Sequence, residues 1–299
     1  MPELTAPVQD RVFVVTGATS GIGLAVTRGL LERGQAIIGV GRSEARCAEA
    51  MRSLGESVPH ESLAFEVADL SIQAQVRSLA SAIGRRLDEW HMVGLDGLVN
   101  NAGTFSYWQT LTPEGFETQW AVNHLAPFLL TNLLLPRLRT LPDARVVTVS
   151  SGSHYGAHLD WADIQRMRRY NPLHVYNQTK LANVLFTAEL KRRLGEGSSI
   201  HAFAADPGLV NTDIGLKANS RLARWMWSIR RRRGMSAERS ADGIMTLLLD
   251  PDVVRSAQIY WKHGRPKAPH PAGLDADAGR RLWDLSELMC GLTREAQVA

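Results

Sequence analysis

The chain has 299 residues, 44% of them apolar and 21% charged, and a net charge of 34 − 30 = +4. That composition suits a globular protein with a sizeable core, and it includes no run of about 18 apolar residues that could span a bilayer. Much of the positive excess sits in RLARWMWSIRRRRG at 221–234, whereas a nucleic-acid binder would spread basic charge over a face; no nucleic-acid partner is expected.

The first residues, MPELTAPVQDR, lack a basic start followed by an apolar stretch, so no signal peptide is expected. RVFVVTG (11–17) reads as a buried strand ending in glycine. GIGLAVTRGLLERG (21–34) has helical spacing and a closing glycine. QAIIGVGR (35–42) is the next strand, followed by the helix SEARCAEAMRSLG (43–55), with Ser43 as a plausible N-cap. LAFEVADLS (63–71) is a third strand and IQAQVRSLASAIGRRL (72–87) a helix. LDGLVNNAG (95–103) is a fourth strand, and a long helix is predicted over about 113–139. RVVTVSS (145–151) is a fifth strand; a helix over 174–195 and the strand IHAFAADPG (200–208) follow. A basic, Trp-containing segment leads to a helix at 236–249, a last strand at 258–261 and a helix at 275–291. Cys47 and Cys290 are far apart and show no metal spacing, which suits free thiols in a reducing compartment. A cytoplasmic protein is expected, with no metal.

Strands alternating with helices demand a mostly parallel sheet covered on both faces. The near-continuous apolar strands agree. With no linker, repeat or low-complexity segment, the reading is one domain over 1–299, with a core of about 10–262 and a tail from 263 that is richer in Pro and Gly.

TGATSGIG (16–23) lies where the first strand meets the first helix. Gly17, Gly21 and Gly23 allow a tight turn and close approach of a ligand. The following helix aims its N-terminal N–H groups and its positive dipole end at that spot, which suits a pyrophosphate. Further on, Tyr176 and Lys180 lie one turn apart on one helix. A nearby ammonium favours the phenolate, so the pair reads as a tuned acid/base group; as a bare Tyr-x-x-x-Lys it is also a common chance match.

TGATSGIG, NNAG (100–103), Ser151 after VTVS, Tyr176-x-x-x-Lys180 and PG (207–208), in that order, resemble the short-chain dehydrogenase/reductase family over about residues 10–262. YNQTKLANVLFTAEL and DPGLVNTDI look closest to its branch of retinol dehydrogenases and protochlorophyllide reductases. The resemblance implies a single Rossmann-type doubly wound α/β domain with about seven strands. It implies a nicotinamide dinucleotide contacted by Gly17, Thr19, Ser20, Gly21, Ile22, Gly23, Arg42, Asp69, Leu70, Asn101, Ala102, Gly103, Tyr176, Lys180, Pro207, Gly208 and Thr212. NAD-preferring members carry Asp where this chain has Gly41, and Arg42 follows, so NADP(H) is expected; a guanidinium can grip a phosphate bidentately. Arg42 is otherwise a solvated loop residue. Asp69 would accept from the adenine amine, or is an ordinary acid at a helix start. Asn100 is expected to tie neighbouring strands together.

By the same resemblance Asn123, Ser151, Tyr176 and Lys180 form the reacting centre. Ser151 would bond the substrate oxygen, with Ser150 as its competitor, and Asn123 would hold a water or bond backbone. His124 is read as structural. The gap of 176 − 151 = 25 residues is long, and its extra stretch HLDWADIQRMRRYN is expected to flank the substrate. His154, Tyr155 and Trp225 are candidate substrate contacts. The segment of about 209–234 would be a variable lid, a weak peripheral membrane contact, or a plain solvated helix. The function implied is an NADPH-dependent carbonyl reductase or alcohol dehydrogenase on a bulky, largely apolar small molecule. The alternatives are a non-catalytic dinucleotide-binding regulator, or epimerisation or reductive cyclisation on the same site. Both monomers and homo-oligomers suit the family.

Overall fold

The strand stretches are rich in Val, Ile and Ala, which can be buried on both faces of a parallel sheet. The computed structural model describes residues 11–55, 62–208 and 236–292. Strands β1 (Val12–Thr16), β2 (Ala36–Gly41), β3 (Leu63–Val67), β4 (Gly97–Asn100), β5 (Ala144–Val149), β6 (Ile200–Asp206), β7 (Tyr260–Lys262) and β8 (Arg265–Pro266) form one sheet in the order β3-β2-β1-β4-β5-β6-β7-β8. The first seven run parallel, and β8 pairs antiparallel with β7. The expected count of about seven thus gains one two-residue strand, too short to carry a periodicity. Strand order reverses between β1 and β4, the switch point where such sheets open a crevice at their carboxyl ends.

Helices α1 (Gly21–Leu31), α2 (Glu44–Gly55), α3 (Gln73–Glu89), α4 (Ala126–Arg139), α5 (Pro172–Leu194), α6 (Ala237–Leu249) and α7 (Ala276–Cys290) connect and cover the strands. Alternate residues of β1 serve two cores. Val12 and Val14 join Phe128 and Leu129 of α4 and Leu185 of α5, while Phe13 and Val15 join Val26 and Leu30 of α1 and Ile244 of α6. Arg145, on β5, is 1% exposed and donates to the Leu247 and Asp250 carbonyls at 3.1 and 2.7 Å, closing the end of α6.

One expectation needs correction. The predicted long helix over 113–139 does not begin at 113. Residues there fold back through a Leu111–Glu117 bridge around Gly115 at φ +82°, and helical winding starts only at Thr118–Trp120. It then widens to a π turn, Ala121–Leu125, before α4. Glu117 begins the winding, its carboxylate accepting the Trp120 N–H at 2.8 Å. The stretch from 263 on carries the expected helix as α7, which packs on the core. Trp283 of α7 packs edge-on to Phe128 at 4.9 Å and against Phe186 at 5.9 Å, under the Arg193 guanidinium at 4.5 Å.

His124, in the π turn, is fully buried between Trp120 and Phe128, and its Nε2 lies 2.9 Å from Ser286 Oγ of α7. Burial pushes its pKa from 6.5 down to about 3. The folded ring therefore stays neutral while the unfolded ring takes up a proton as pH falls through 6.5. This group alone should remove roughly 2 kcal/mol of stability between about pH 7.5 and pH 5. Urea unfolding at the two pH values checks this, and His124→Gln should flatten that part of the loss.

Candidate active site

The loop after β1 is tied to the loop after β4 by one hydroxyl. Thr16 Oγ1 accepts the N–H groups of Asn101 and Ala102, each at 3.0 Å, and donates to the Val99 carbonyl at 3.2 Å. The Asn101 side chain returns a bond to the Thr16 carbonyl at 2.8 Å. Gly17 and Gly21 take φ of +69° and +54°, a left-handed backbone that favours glycine. A Cβ on Gly23 would lie 2.2 Å from the Gly17 carbonyl oxygen, so α1 can start this close to the loop only with glycine there. Ser20 is the N-cap of α1 yet makes no side-chain cap bond, and the first turn has no acidic residue. The N–H groups at this terminus are thus left for an anion. Thr19 and Ile22 are partly exposed beside them.

Beyond β2, Arg42 is exposed and has no side-chain partner among the described residues. Asp69 uses Oδ1 on the Ser71 N–H and hydroxyl, at 2.9 and 2.7 Å. Leu70 packs against the core. Asn100 donates to Thr131 Oγ1 at 2.9 Å, so it ties β4 to α4 instead of to another strand.

The residues expected to react meet where β5 ends against α5. Lys180 is 4% exposed, and its Nζ donates to the Val149 carbonyl at 3.1 Å. Ser150 turns inward to the Lys180 carbonyl at 2.8 Å, whereas the Ser151 hydroxyl lies 3.2 Å from Ser153 Oγ and beside the Tyr176 phenol. Ser150 is thus engaged with the backbone of α5, and Ser151 is the one of the two beside Tyr176. Lys180 Nζ lies 5.5 Å from the Tyr176 ring centroid, and the Phe105 ring meets that ring edge-on at 5.7 Å. Asn123, in the π turn, accepts from Thr104 N at 2.7 Å and donates to Thr104 O and Thr179 Oγ1 at 2.9 and 3.2 Å. Of its two expected roles the backbone one is present. A Cβ on Gly103 would lie 3.4 Å from Asn123 Oδ1 and 3.8 Å from Lys180 Nζ, so the loop after β4 comes close to the lysine.

The electrostatics differ from expectation. Tyr176 is not acidified by the ammonium: burial pushes its pKa up to about 12, the bond from Ser151 offsets part of this, and the Asp206 carboxylate adds to it. Burial also brings Lys180 down to about 8, against the pull of Asp206. Desolvation is the largest cause for both groups.

The substrate candidates fare unevenly. His154 is fully buried; Nδ1 lies 2.8 Å from the Ser151 carbonyl, and Nε2 accepts the His270 N–H at 3.0 Å, which leaves no ring nitrogen for a substrate. The Tyr155 hydroxyl is bound to the Ala268 carbonyl, with Lys267 over its ring at 4.6 Å. Both therefore hold the segment after β8. Pro207 accepts from Ser240 at 3.0 Å, and Gly208, at φ +78°, donates to Asp206 at 2.9 Å. Thr212, Trp225 and the 209–234 segment lie outside the described residues. The stretch 158–171 backs the aromatic loop, since the Tyr170 hydroxyl donates to the Ser106 carbonyl at 3.0 Å. Among the described residues no three His, Cys, Asp or Glu side chains cluster as a metal site.

A family profile described as short chain dehydrogenase matches residues 11–223. The chain belongs to the short chain dehydrogenase family. It is 34% identical over 297 residues to retinol dehydrogenase 13 of Homo sapiens, covering 96% of this chain and 86% of that one. It is 38% identical over 213 residues to polyprenol dehydrogenase of Homo sapiens, covering 70% of this chain and 63% of that one. Among solved structures, an uncharacterized protein from Mycobacterium Paratuberculosis matches with a TM-score of 0.70 at 32% identity, covering 94% of each chain. This short chain dehydrogenase is thus an oxidoreductase type on the retinol-dehydrogenase-like branch.

A nicotinamide dinucleotide fits the residues present. The uncapped start of α1, the glycines whose Cβ would fill the cradle, and the buried Lys180 ammonium are suited to phosphate and ribose oxygens. Thr16, Phe105 and Asp206 were missed in the sequence; only Asp206, as the acid before Pro207, carried a readable signal. The end of β2 gives a sharper result. A Cβ on Gly41 would lie 2.5 Å from Cys47 Sγ and 2.6 Å from Thr19 Cγ2, so an acid cannot be accommodated there without displacing both. Gly41→Asp should cost roughly 1–3 kcal/mol of stability in denaturant unfolding, in place of a clean change of cofactor preference.

Proposed function

We propose that this protein is an NADPH-dependent carbonyl reductase, an alcohol dehydrogenase in reverse, acting on a bulky and largely apolar ketone, aldehyde or alcohol. The observation that carries the reading is the meeting of the Ser151 hydroxyl, the Tyr176 phenol and the buried Lys180 ammonium at the end of β5, beside the Phe105 ring. When bound, the reduced nicotinamide supplies hydride to the carbonyl carbon. Tyr176 gives its phenolic proton to the substrate oxygen as that oxygen gains charge. Ser151 donates a hydrogen bond to the same oxygen. Lys180, which has Val149 as its one hydrogen-bond acceptor among the described residues, keeps N–H bonds for the nicotinamide ribose. Asn123 fixes Thr104 on one side and Thr179 on the other, and so holds the spacing of the cleft.

The raised phenol pKa supports the reductive direction at neutral pH, because an acid that keeps its proton is ready to give it. Oxidation needs the phenolate and is favoured as pH rises. Arg42 supports NADP(H): it is exposed, free of side-chain partners among the described residues, and adjacent to Gly41. Apolar substrates are supported by Phe105, its edge-on neighbour Tyr107 at 5.0 Å, and Trp108, 68% exposed. Retinol and polyprenols, the alcohols in the relatives' names, are themselves long and apolar.

Two assays test the reading. With NADPH and retinal, Tyr176→Phe should lower kcat by about 10²–10⁴; undiminished turnover in folded protein would end the proposal. Arg42→Ala should raise KM for NADPH about tenfold or more, the loss of a charge-assisted phosphate contact, while leaving that for NADH nearly unchanged. A preference for NADH that persists in this variant refutes the cofactor assignment.

A further inference from the structure

Ser151 opens a short 3₁₀ turn, Gly152–Gly156, whose fully buried side chain is His154. The His154 ring meets the Tyr155 ring at 4.1 Å and that of Tyr260 on β7 at 4.6 Å, both tilted. A phenylalanine would fill such a site as well. An imidazole adds a bond at each nitrogen, without which burying those polar atoms would be unfavourable. Nε2 accepts the His270 N–H at 3.0 Å, and Nδ1 lies 2.8 Å from the Ser151 carbonyl oxygen. A backbone N–H can only donate, so Nε2 carries no proton; Nδ1 therefore carries it and donates to Ser151. Burial also lowers the pKa of the ring below its usual 6.5, in keeping with a neutral imidazole.

His270 belongs to the strap of chain that follows β8, and this strap is itself fastened. The Ala268 carbonyl accepts the Tyr155 hydroxyl, and His270 Nδ1 accepts the Ala272 N–H at 3.2 Å. A Cβ on Gly273 would lie 2.7 Å from Val184 Cγ1, so the strap is pressed onto α5 one turn beyond Lys180. His154 thereby completes a path from Ser151, through His270, to the helix that carries Tyr176. At the serine itself, the carbonyl takes the ring N–H and also the His154 backbone N–H at 3.1 Å, while the hydroxyl oxygen accepts the Ser153 N–H at 3.2 Å. Without the ring bond, the five-residue turn would be left with its own 3₁₀ bonds, whose geometry is poor.

We propose that His154 is a positioning residue that, as the Nδ1–H tautomer, fixes Ser151 against Tyr176 by tying the Ser151 carbonyl to the strap after β8. This rests on the proposed reaction, in which Ser151 bonds the substrate oxygen. The ring touches no reacting atom, and both of its nitrogens are engaged inside the protein. A serine whose backbone can turn carries its hydroxyl off the substrate oxygen, and a misplacement of about 1 Å lowers the rate by on the order of 10².

Two variants separate the two ring bonds. In His154→Asn the amide nitrogen can take the place of Nδ1 and keep the bond to Ser151, leaving the His270 N–H without its acceptor. In His154→Gln the amide oxygen can take the place of Nε2 and keep His270, leaving the Ser151 carbonyl with the backbone N–H alone. With retinal and NADPH, kcat should fall about 10–100-fold in His154→Gln and far less in His154→Asn, with KM for NADPH unchanged in both. An equal loss in the two, or the larger loss in His154→Asn, overturns the proposal. The Ser151 ¹³Cβ NMR signal, assigned by its absence in Ser151→Ala, reads the serine without cofactor or substrate. It should move in His154→Gln and stay in His154→Asn; a fixed signal in folded His154→Gln overturns the proposal. If His154→Gln does not fold, the ¹H–¹⁵N spectrum of the His154 ring in the unaltered protein decides: the proton is expected on Nδ1, and a proton on Nε2 overturns the proposal. Signals that behave as expected in a protein that reduces no aldehyde uphold the role of His154 and overturn the proposed reaction alone.

Discussion

Three hydrogen bonds hold the end of β5 against the helix that carries Tyr176 and Lys180. Lys180 Nζ and Asn183 Nδ2 both donate to the Val149 carbonyl, at 3.1 and 3.2 Å, and Ser150 Oγ donates to the Lys180 carbonyl at 2.8 Å. A strand end normally hands its last carbonyls to solvent or to a loop; here a helix takes them. The strand therefore delivers Ser151 to a fixed height against α5, where Tyr176 stands one turn before Lys180. Because all three bonds are buried, breaking one leaves an unpaired polar group inside the protein. The loop after β4 is fixed to the same helix from the other side, through Asn123 and Thr179. Preorganisation of this kind costs nothing at the moment of reaction.

The same burial decides the protonation states. A phenol and an ammonium one helical turn apart suggest a phenol made acidic by its neighbour. The ammonium, however, points its one protein bond at a carbonyl and is itself desolvated, and the phenol is desolvated with it. Under the proposed function, the oxidised nicotinamide of a bound dinucleotide would supply a second positive charge that favours the phenolate. Before that the pair holds its protons, which suits a donor. On the proposed function, proton release would in this way be coupled to the redox state of what occupies the cleft.

The fold was readable because the strands are short apolar runs closed by glycine or by a turn, and each is followed by a helix-period stretch. The parallel order and the phosphate-loop glycines followed from that. What escaped was local and depended on side-chain reach. The π turn at Ala121–Leu125 has no periodicity of its own, and proline and glycine at 113 and 115 moved the helix start to Thr118. His154 sits close to Ser151 in sequence, but its ring turns away into a tilted contact with Tyr260 at 4.6 Å. Thr16 looks like the last residue of a strand; only the fold shows that it joins two loops. The direction of the Tyr176 shift could not be read from spacing, because spacing gives the neighbour and not the solvent.

The aromatic loop and the long stretch between Ser151 and Tyr176 form one unit. Glu117 is fully buried, and its backbone N–H donates to Gln165 at 2.8 Å, while its carboxylate receives the Tyr170 hydroxyl at 3.3 Å. Gln178, two residues after Tyr176, binds the Asp160 N–H at 3.0 Å and the Ile164 carbonyl. The inserted stretch is thereby fastened at both ends, to the residue that starts the winding before α4 and to the helix that carries the phenol. Phe105 and Tyr107 stand on the loop it supports, so the apolar wall and the proton donor are referenced to the same helix. A substrate that displaces the wall must strain those buried bonds, whereas one that merely covers it with apolar surface gains burial at no such cost. Under the proposed function, selection for apolar substrates would follow from how the insertion is anchored, independent of any polar contact to the substrate's far end.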